Sequence, residues 1–281
     1  MSDVRLKTIL DDGLYFEAPR WHRGSLWLVD ARARTLLRLN EDGPPEIVCT
    51  FEGVPAGLGF LPEGAPVVTD MHGRALARSD GGKPVRHVDL SSITGTIDDM
   101  TIDGLGRAYV GDLGFDLKSG IKDGPYGRLV LVEPGRAPRV VAEGLNFPNG
   151  IAISDDGRRL VVAETNAGCI ACFGVHADGT LAFDRRIDSG RTPDGVCFDR
   201  DGALWVALLD DSAFVRLAAD GRVLDRIPVP GRRGVACVLG GEDRRTLYCI
   251  SMETKETAAV GGQPRSFLEA TVVDAPGAGW P

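Results

Sequence analysis

Four oxygen-bearing side chains recur at one point of a repeated pattern in this 281-residue chain. Glu17, Asp98, Asn149 and Asp194 each stand four residues before an apolar residue, which a short turn and a β-rich run then follow. If the repeats are equivalent, the four side chains lie at one height around a common axis. Carboxylate and amide oxygens without thiolate or imidazole suit a hard cation, Ca²⁺ ahead of Mg²⁺ or Mn²⁺. The pattern therefore predicts an oxygen-lined metal site.

A structural interpretation competes with this one, because Asp and Asn often begin strands after turns and form local hydrogen bonds there. Any one of the four residues could be explained in that way. Their common offset favours a shared site. Acids crowded on an axis without a cation would repel one another, and one of them would have to bind a proton.

Six apolar anchor residues define the repeat, and they are spaced between 39 and 51 residues apart. They are Trp21, Phe60, Ile102, Ile153, Phe198 and Leu239. A period in the forties of β-rich units is typical of a propeller with one blade per repeat. The other two repeats carry Ala56 and Val235 at the aligned position. We therefore predict an all-β protein, a six-bladed β-propeller that occupies residues 1–281 as a single domain.

Several segments must close this ring and border the aligned residues. The β-like Arg5–Leu10 is expected to supply a strand to the last blade, beside Ser266–Val273. The third repeat is longer, and its polar, glycine-rich excess at Gly114–Gly127 predicts a loop that acts as a lid or binding element. Acidic residues end four second strands, and this regular placement indicates an architectural role: Asp30, Asp70, Asp112 and Glu164.

Composition excludes several classes of partner. The net charge is -8 and no Lys/Arg run is present, so we expect no nucleic-acid partner. No apolar run approaches the ~20 residues that span a bilayer, and the N-terminus has no apolar signal region. The one C-x-x-C, Cys169 to Cys172, has no second pair to complete a zinc site. We expect six reduced cysteines, a cytoplasmic location, no membrane partner, and a monomer or small homo-oligomer.

The chain resembles the six-bladed family of senescence marker protein, gluconolactonase and luciferin-regenerating enzyme. The matching segments begin at the four aligned residues or just before them: Glu17-Ala-Pro-Arg-Trp21, Ile97-Asp-Asp-Met100, Asn149-Gly-Ile-Ala-Ile-Ser154, and Pro193-Asp-Gly-Val-Cys-Phe-Asp199 with Leu204-Trp-Val-Ala207. The resemblance implies that Glu17, Asn149 and Asp194 are the three protein ligands of one divalent cation. It also implies that Asp194 is the catalytic acid or base.

The chain departs from the sugar-lactone members of this family at two places. Thr96-Ile-Asp98-Asp99 stands where they tend to carry Arg-x-Asn-Asp, and this pattern is more similar to the drug-responsive bacterial lactonase branch. Leu208-Leu-Asp-Asp-Ser212 replaces the Trp-Gly-Gly turn of many relatives. Thr96 cannot make the bidentate contacts of Arg.

We therefore predict a hydrolase that opens a lactone ring, in which the cation polarises the carbonyl. The cation is expected to be Ca²⁺, with Mg²⁺, Mn²⁺ or Zn²⁺ as alternatives. Asp194 or Asp98 is the candidate general base, and substrate contacts are assigned to Asp98, Thr96 and Asp116. Two other interpretations stay open: a non-catalytic calcium-binding or interaction propeller, and an esterase or organophosphate hydrolase at the same metal site.

Overall fold

The chain forms six four-stranded antiparallel sheets. The computed structural model describes residues 6–40, 43–254, 258 and 262–279. The inner strands of the six sheets are β2 (Phe16–His22), β6 (Pro55–Phe60), β10 (Ile97–Ile102), β14 (Pro148–Ile153), β18 (Pro193–Phe198) and β22 (Arg232–Gly240). The second strands are β3 (Ser25–Asp30), β7 (Pro66–Asp70), β11 (Ala108–Asp112), β15 (Arg159–Glu164), β19 (Leu204–Leu208) and β23 (Thr246–Glu253).

The two outer positions of each sheet complete the blade. The third strands are β4 (Thr35–Leu39), β8 (Ala75–Asp80), β12 (Gly127–Val132), β16 (Cys169–Val175), β20 (Ala213–Leu217) and β24 (Ser266–Val272). The outermost strands are β5 (Glu46–Thr50), β9 (Lys83–Asp89), β13 (Arg139–Leu145), β17 (Leu181–Asp188), β21 (Val223–Pro228) and β1 (Lys7–Gly13).

Each inner strand contacts the inner strand of the next sheet, and β22 contacts β2, so the sheets close into a ring. The fold is a six-bladed β-propeller, as predicted. The ring is fastened by β1, which pairs antiparallel with β24 through partners such as Lys7 and Ala270. This is the predicted closing strand, although it starts at Lys7 rather than Arg5 and runs on to Gly13; Arg5 itself lies outside the described residues.

The hydrophobic core consists of six apolar clusters, each packed between two neighbouring blades. Between the first and second blades, for example, Val29 and Leu36 pack against Leu58 and Val68. All six predicted anchors are buried, with 3% to 7% of their surface exposed. An anchor therefore fixes the end of its inner strand against the preceding blade of the ring, which gives the six strands a common height.

The long third-blade connection runs between β11 and β12 and contains a short 3₁₀ helix, Leu117–Ser119. Across the described ranges, no helix has the length and apolar character needed to cross a membrane. All six cysteines, which lie within the described ranges, are free thiols.

Candidate metal centre

The inner strand of every blade is interrupted at the same place. Its pairing with the second strand shifts register between Glu17 and Arg20 in the first blade, and between Pro193 and Val196 in the fifth. Equivalent shifts occur in the other four blades. A β-bulge re-aims the side chains at the extra residue. Each aligned residue lies within such a bulge or at its edge, so the bulges present the aligned positions at one mouth of the central channel.

Glycines let the inner strands approach backbone to backbone just after the aligned positions. A Cβ added to Gly150 would lie 2.4 Å from the Asp194 carbonyl oxygen, and one added to Gly195 would lie 2.6 Å from Ala236 Cα. Both distances are shorter than real Cβ contacts. Only glycine fits there, and the close approach holds Asn149 and Asp194 on adjacent strands beside each other.

The carboxylates of Glu17, Asp98 and Asp194 lie within electrostatic range of one another. Burial raises the pKa of Glu17, and the charges of Asp194 and Asp98 raise it further. The pKa of Asp194 is likewise raised by burial and then by Asp98, while Arg233 and a hydrogen bond from Asn149 oppose the rise. Burial, followed by the charge of Asp99, raises the pKa of Asp98 to about 7. Without a bound cation, these buried acids therefore repel one another and their pKa values are raised, as expected of crowded acids.

One oxygen of this group has no hydrogen-bond partner. Asp194 is 2% exposed, and no donor among the residues described reaches its Oδ1. A buried carboxylate oxygen without a donor or counter-charge is costly. The donor set around it, carboxylates and the Asn149 amide, fits a hard divalent cation.

The described residues include no group of three or more His, Cys, Asp or Glu side chains that could hold a metal ion. The predicted ligand set is of another kind, because it contains only two carboxylates, Glu17 and Asp194, together with the Asn149 amide.

Two predicted substrate contacts are engaged with the long loop. Thr96 is buried, and its hydroxyl accepts a hydrogen bond of 2.9 Å from the Leu117 backbone N–H. Asp116 is exposed and caps the 3₁₀ helix, accepting a bond of 3.0 Å from Lys118 N–H. Thr96 thus holds the loop against the third blade, while Asp116 stabilises the short helix within the loop, and their contact with substrate stays a prediction.

The acidic residues that end second strands hold the backbone just before the inner strands. Asp30 accepts from the Leu14 and Tyr15 N–H groups at 2.8 and 3.1 Å. Asp112 accepts from Gly95 N–H at 2.8 Å. Glu164 accepts from Asn146 N–H, also at 2.8 Å. In these three blades the predicted architectural role is thus a specific one, since each carboxylate orients the segment that leads to an aligned residue.

Tyr15 belongs to the same mouth and was missed by sequence reasoning. Burial and the charges of Glu17, Asp194 and Asp98 raise its pKa well above the usual value, so the phenol stays protonated. The phenol forms a hydrogen bond with the Glu17 carboxylate, and the Arg32 guanidinium covers its ring at 5.5 Å. Tyr15 lies in the bend before β2, two residues ahead of Glu17, so strand periodicity did not point to it.

Arg20 and Asp99 form a second feature that the sequence did not reveal. The two side chains make a buried ion pair of 2.8 Å that joins the first and third blades. Below them, a void of only about 20 Å³ is bounded by channel residues that include Cys197 and by Ala278 of the C-terminal segment. That segment lies across the far end, where Pro276 O accepts from Arg200 N–H at 2.8 Å. The space below the ion pair is therefore nearly filled by these residues.

A family profile described as "SMP-30/Gluconolactonase/LRE-like region" matches residues 16–253. The chain belongs to this family. A 6-deoxy-6-sulfogluconolactonase of Pseudomonas putida is 28% identical, with 94% of this chain and 93% of that protein covered. The lactonase drp35 of Staphylococcus aureus is 27% identical over 82% of this chain and 73% of its own length. The family resemblance read from the aligned segments is confirmed.

Solved structures show the same fold. The luciferin-regenerating enzyme superposes with a TM-score of 0.82 at 17% identity, covering 98% of this chain and 97% of the other. A calcium-binding protein, regucalcin, from Agrobacterium tumefaciens superposes with a TM-score of 0.77 at 19% identity, covering 97% of each chain. At these identities the likeness confirms the propeller architecture.

Proposed function

We propose that this protein is a metal-dependent lactonase, in which Glu17, Asn149 and Asp194 bind one divalent cation and Asp194 serves as the general base. The observation that carries the proposal is the buried, unpartnered Oδ1 of Asp194 beside Glu17 and Asn149. A cation at this point would satisfy that oxygen and relieve the repulsion among the acids. Ca²⁺ is the ion that the oxygen ligands fit best.

When bound, the cation supplies Lewis-acid polarisation of the lactone carbonyl. The chain supplies the base. Asp194 accepts a proton from the water that attacks the carbonyl carbon, and the ring C–O bond then breaks. The proton passes to the leaving ring oxygen, which gives a hydroxy acid and restores the carboxylate. A positioned base contributes roughly 10² to 10⁴ in rate.

Neighbouring side chains prepare Asp194 for this role. Asn149 hydrogen-bonds its side chain, which fixes the orientation of the carboxylate. Asp98 lies close enough to raise the pKa of Asp194 and is the alternative base. The protonated Tyr15 phenol bonds Glu17 and orients that ligand.

The relatives support this class of reaction. The sulfogluconolactonase and drp35 are both named as lactonases, and their alignments span most of this chain. The regucalcin that shares the fold is described as calcium-binding. A cyclic ester is therefore the substrate class that we propose.

A panel of lactones tests the proposal. The protein is stripped with a chelator and assayed before and after addition of Ca²⁺, Mg²⁺, Mn²⁺ or Zn²⁺, with aryl esters and a phosphotriester beside the lactones. We expect hydrolysis of at least one lactone that is lost on chelation and restored by metal, Ca²⁺ foremost.

Three other results would contradict the proposal. Metal-restored hydrolysis of only the esters or the phosphotriester would make the protein an esterase or organophosphate hydrolase at the same site. Tight Ca²⁺ binding without turnover of any compound would favour a binding propeller. Lactone hydrolysis that survives chelation would exclude a dependence on metal.

A further inference from the structure

We propose that Arg20 is a positioning residue for the candidate metal centre, acting through Asp99 on the inner strands that carry the ligands. The inference rests on the proposed metal site. Arg20 is 7% exposed and Asp99 is 9% exposed. One guanidinium nitrogen, Nη2, donates to both Asp99 oxygens, at 2.8 and 3.1 Å, and to Met100 O at 2.9 Å. The Arg20 side chain, which belongs to the first blade, therefore binds the inner strand of the third blade.

Asp99 occupies a position that the other five blades leave small. The equivalent residues, three before each anchor, are Ala18, Gly57, Gly150, Gly195 and Ala236. A Cβ added to Gly57 would lie 2.6 Å from Met100 N. A charged side chain is thus exceptional in this layer, directly below the aligned residues. Backbone packing, which explains the small residues in the other blades, does not explain the charged side chain of Asp99.

A third strand is tied into the same network. The Ile151 backbone N–H, within the bulge of the fourth blade, donates to Asp99 Oδ2 at 3.2 Å. Arg20 lies three residues after Glu17, Asp99 directly follows Asp98, and Ile151 lies two residues after Asn149. The network therefore meets three strands, each within three residues of one of the converging polar side chains.

The contacts require a guanidinium. A second nitrogen, Nη1, donates to Pro19 O at 3.0 Å while Nη2 donates to Asp99 and Met100. A lysine offers one ammonium and cannot reproduce this planar, two-nitrogen arrangement. Buried ion pairs are often no more stabilising than apolar side chains of the same volume. The pair is therefore better explained by the fixed geometry that it imposes across the blades than by a gain in stability.

Charge complicates a single substitution, because removing Arg20 alone would leave an additional negative charge that attracts a cation. The double variant Arg20→Met/Asp99→Asn avoids this difficulty, since it removes both charges and keeps the net charge of the site. Any change in cation affinity then reports the lost geometry.

A matched control lies at the other end of the third blade. Arg107 and Asp103 form an ion pair of 2.6 Å, with side chains 10% and 5% exposed against 8% and 13% for Arg20 and Asp99. The control variant is Arg107→Met/Asp103→Asn, which breaks a pair of the same kind away from the mouth.

The measurement is the Kd of full-length protein for Ca²⁺ and for Mg²⁺ by titration calorimetry, with Tm recorded in chelator. We expect Arg20→Met/Asp99→Asn to weaken Ca²⁺ binding by about tenfold or more, as loss of outer-shell partners does at other metal sites. Discrimination between Ca²⁺ and Mg²⁺ should also fall, because it depends on the rigidity of the site. The control variant should lower Tm while its Ca²⁺ Kd stays at the wild-type value.

The possible outcomes separate this inference from the proposed function. A folded Arg20→Met/Asp99→Asn protein with wild-type Ca²⁺ Kd overturns the inference. If that variant does not fold, Arg20→Lys, which keeps the charge and loses the planar contacts, should weaken binding, and an unchanged Kd overturns the inference. Wild-type protein that binds Ca²⁺ and hydrolyses no lactone overturns the proposed function alone. Wild-type protein that binds no divalent cation overturns both.

Discussion

Asp194 and Asp199 stand at opposite ends of one inner strand, and both are almost completely buried, at 2% and 1% exposed. Asp199 has a partner for each oxygen: Ala203 N–H at 3.0 Å and Arg216 Nε at 2.6 Å. Asp194 has an oxygen with no partner and lies among other carboxylates. The two ends of one strand thus differ: the acid just after its end is neutralised by the fold, and the acid near its start is left unsatisfied. An unsatisfied acid of this kind is the expected mark of a functional site.

Substitution of Asp194 and substitution of Asp199 are expected to differ most in their effect on turnover. Asp194→Asn should lower kcat for a lactone at saturating metal by about 10² to 10⁴, because Asn keeps the shape and one ligand oxygen but is not a base. Steady-state kinetics over a range of Ca²⁺ concentrations will measure this. Metal affinity should fall as well, since the ligand set loses a charge.

The comparison variant for turnover is Asn149→Ala, in which an amide ligand is lost and the base is retained. Its activity should be partly restored by excess metal, whereas that of Asp194→Asn should not. Near-normal hydrolysis by Asp194→Asn at saturating metal would remove Asp194 as the base and make Asp98 the leading candidate.

The next largest difference is in stability. Substitution of Asp199 should destabilise the protein, whereas substitution of Asp194 should stabilise its metal-free form. Asp199→Asn should lower the free energy of unfolding by about 3 kcal/mol, the lower end of the cost of breaking a buried pair. Arg216 keeps its second bond, to Asp201, which limits the loss. Asp194→Asn should raise the Tm of metal-free protein, because it removes a repelling charge.

Denaturant unfolding in chelator will compare these variants. A loss of stability in Asp194→Asn as large as that in Asp199→Asn would show that Asp194 is a structural acid, and the contrast between the two ends would fail.

A smaller effect is expected in the pH dependence of the metal-free protein. Asp98 has a raised pKa in the fold, about 7, against 3.8 for an unperturbed Asp. The folded state therefore binds the proton more tightly than the unfolded state, so the contribution is fully present below the unfolded pKa. It is lost as pH rises from about 4 towards 7. Tm in chelator should fall over this range, and Ca²⁺ should restore it at the upper end.

Asp98→Asn is the control for this slope, since an amide does not titrate. The decline of Tm with pH should become shallower in that variant. A dependence of Tm on pH identical to that of wild type would show that the pKa of Asp98 is not raised by its neighbours and its burial.

The smallest effect is expected for Tyr15→Phe, which removes the hydroxyl that bonds Glu17 and leaves the ring under Arg32. One neutral-to-charged hydrogen bond is worth about 1.5 to 3 kcal/mol at most, and replacement by solvent recovers part of it. Ca²⁺ binding should weaken by several-fold, measured by calorimetry. Equal affinity in the two proteins would show that the phenol does not orient the ligand.

The sequence predicted the ring and the convergence of its polar residues because both depend on features that repeat. Each anchor is buried against the preceding blade, and a bulge lies just before each anchor, so an equal offset in sequence became an equal height in space. The closing strand was predictable for a similar reason, since a ring of blades must join its two ends.

Other features depend on contacts that occur only once. The reach of Arg20 to Asp99 crosses the second blade, where Gly57 packs against Asp99 without a side chain. Thr96 was assigned to substrate from its place in a motif, while its hydroxyl also holds the long loop. The packing of Ala278 near the channel follows from a terminal segment without a repeat partner. Such contacts cannot be read from a periodic pattern.

The central claim is that Asp194 is unsatisfied because it binds a cation together with Glu17 and Asn149. Crystals soaked in Ca²⁺, and separately in Mn²⁺ for its anomalous signal, test this directly. We predict one ion at the mouth with oxygens of Glu17, Asn149 and Asp194 at about 2.3–2.6 Å in the Ca²⁺ form. An ion bound elsewhere, or a mouth in which Asp194 Oδ1 is satisfied by a protein donor or water with no ion bound at saturating Ca²⁺, would contradict the account.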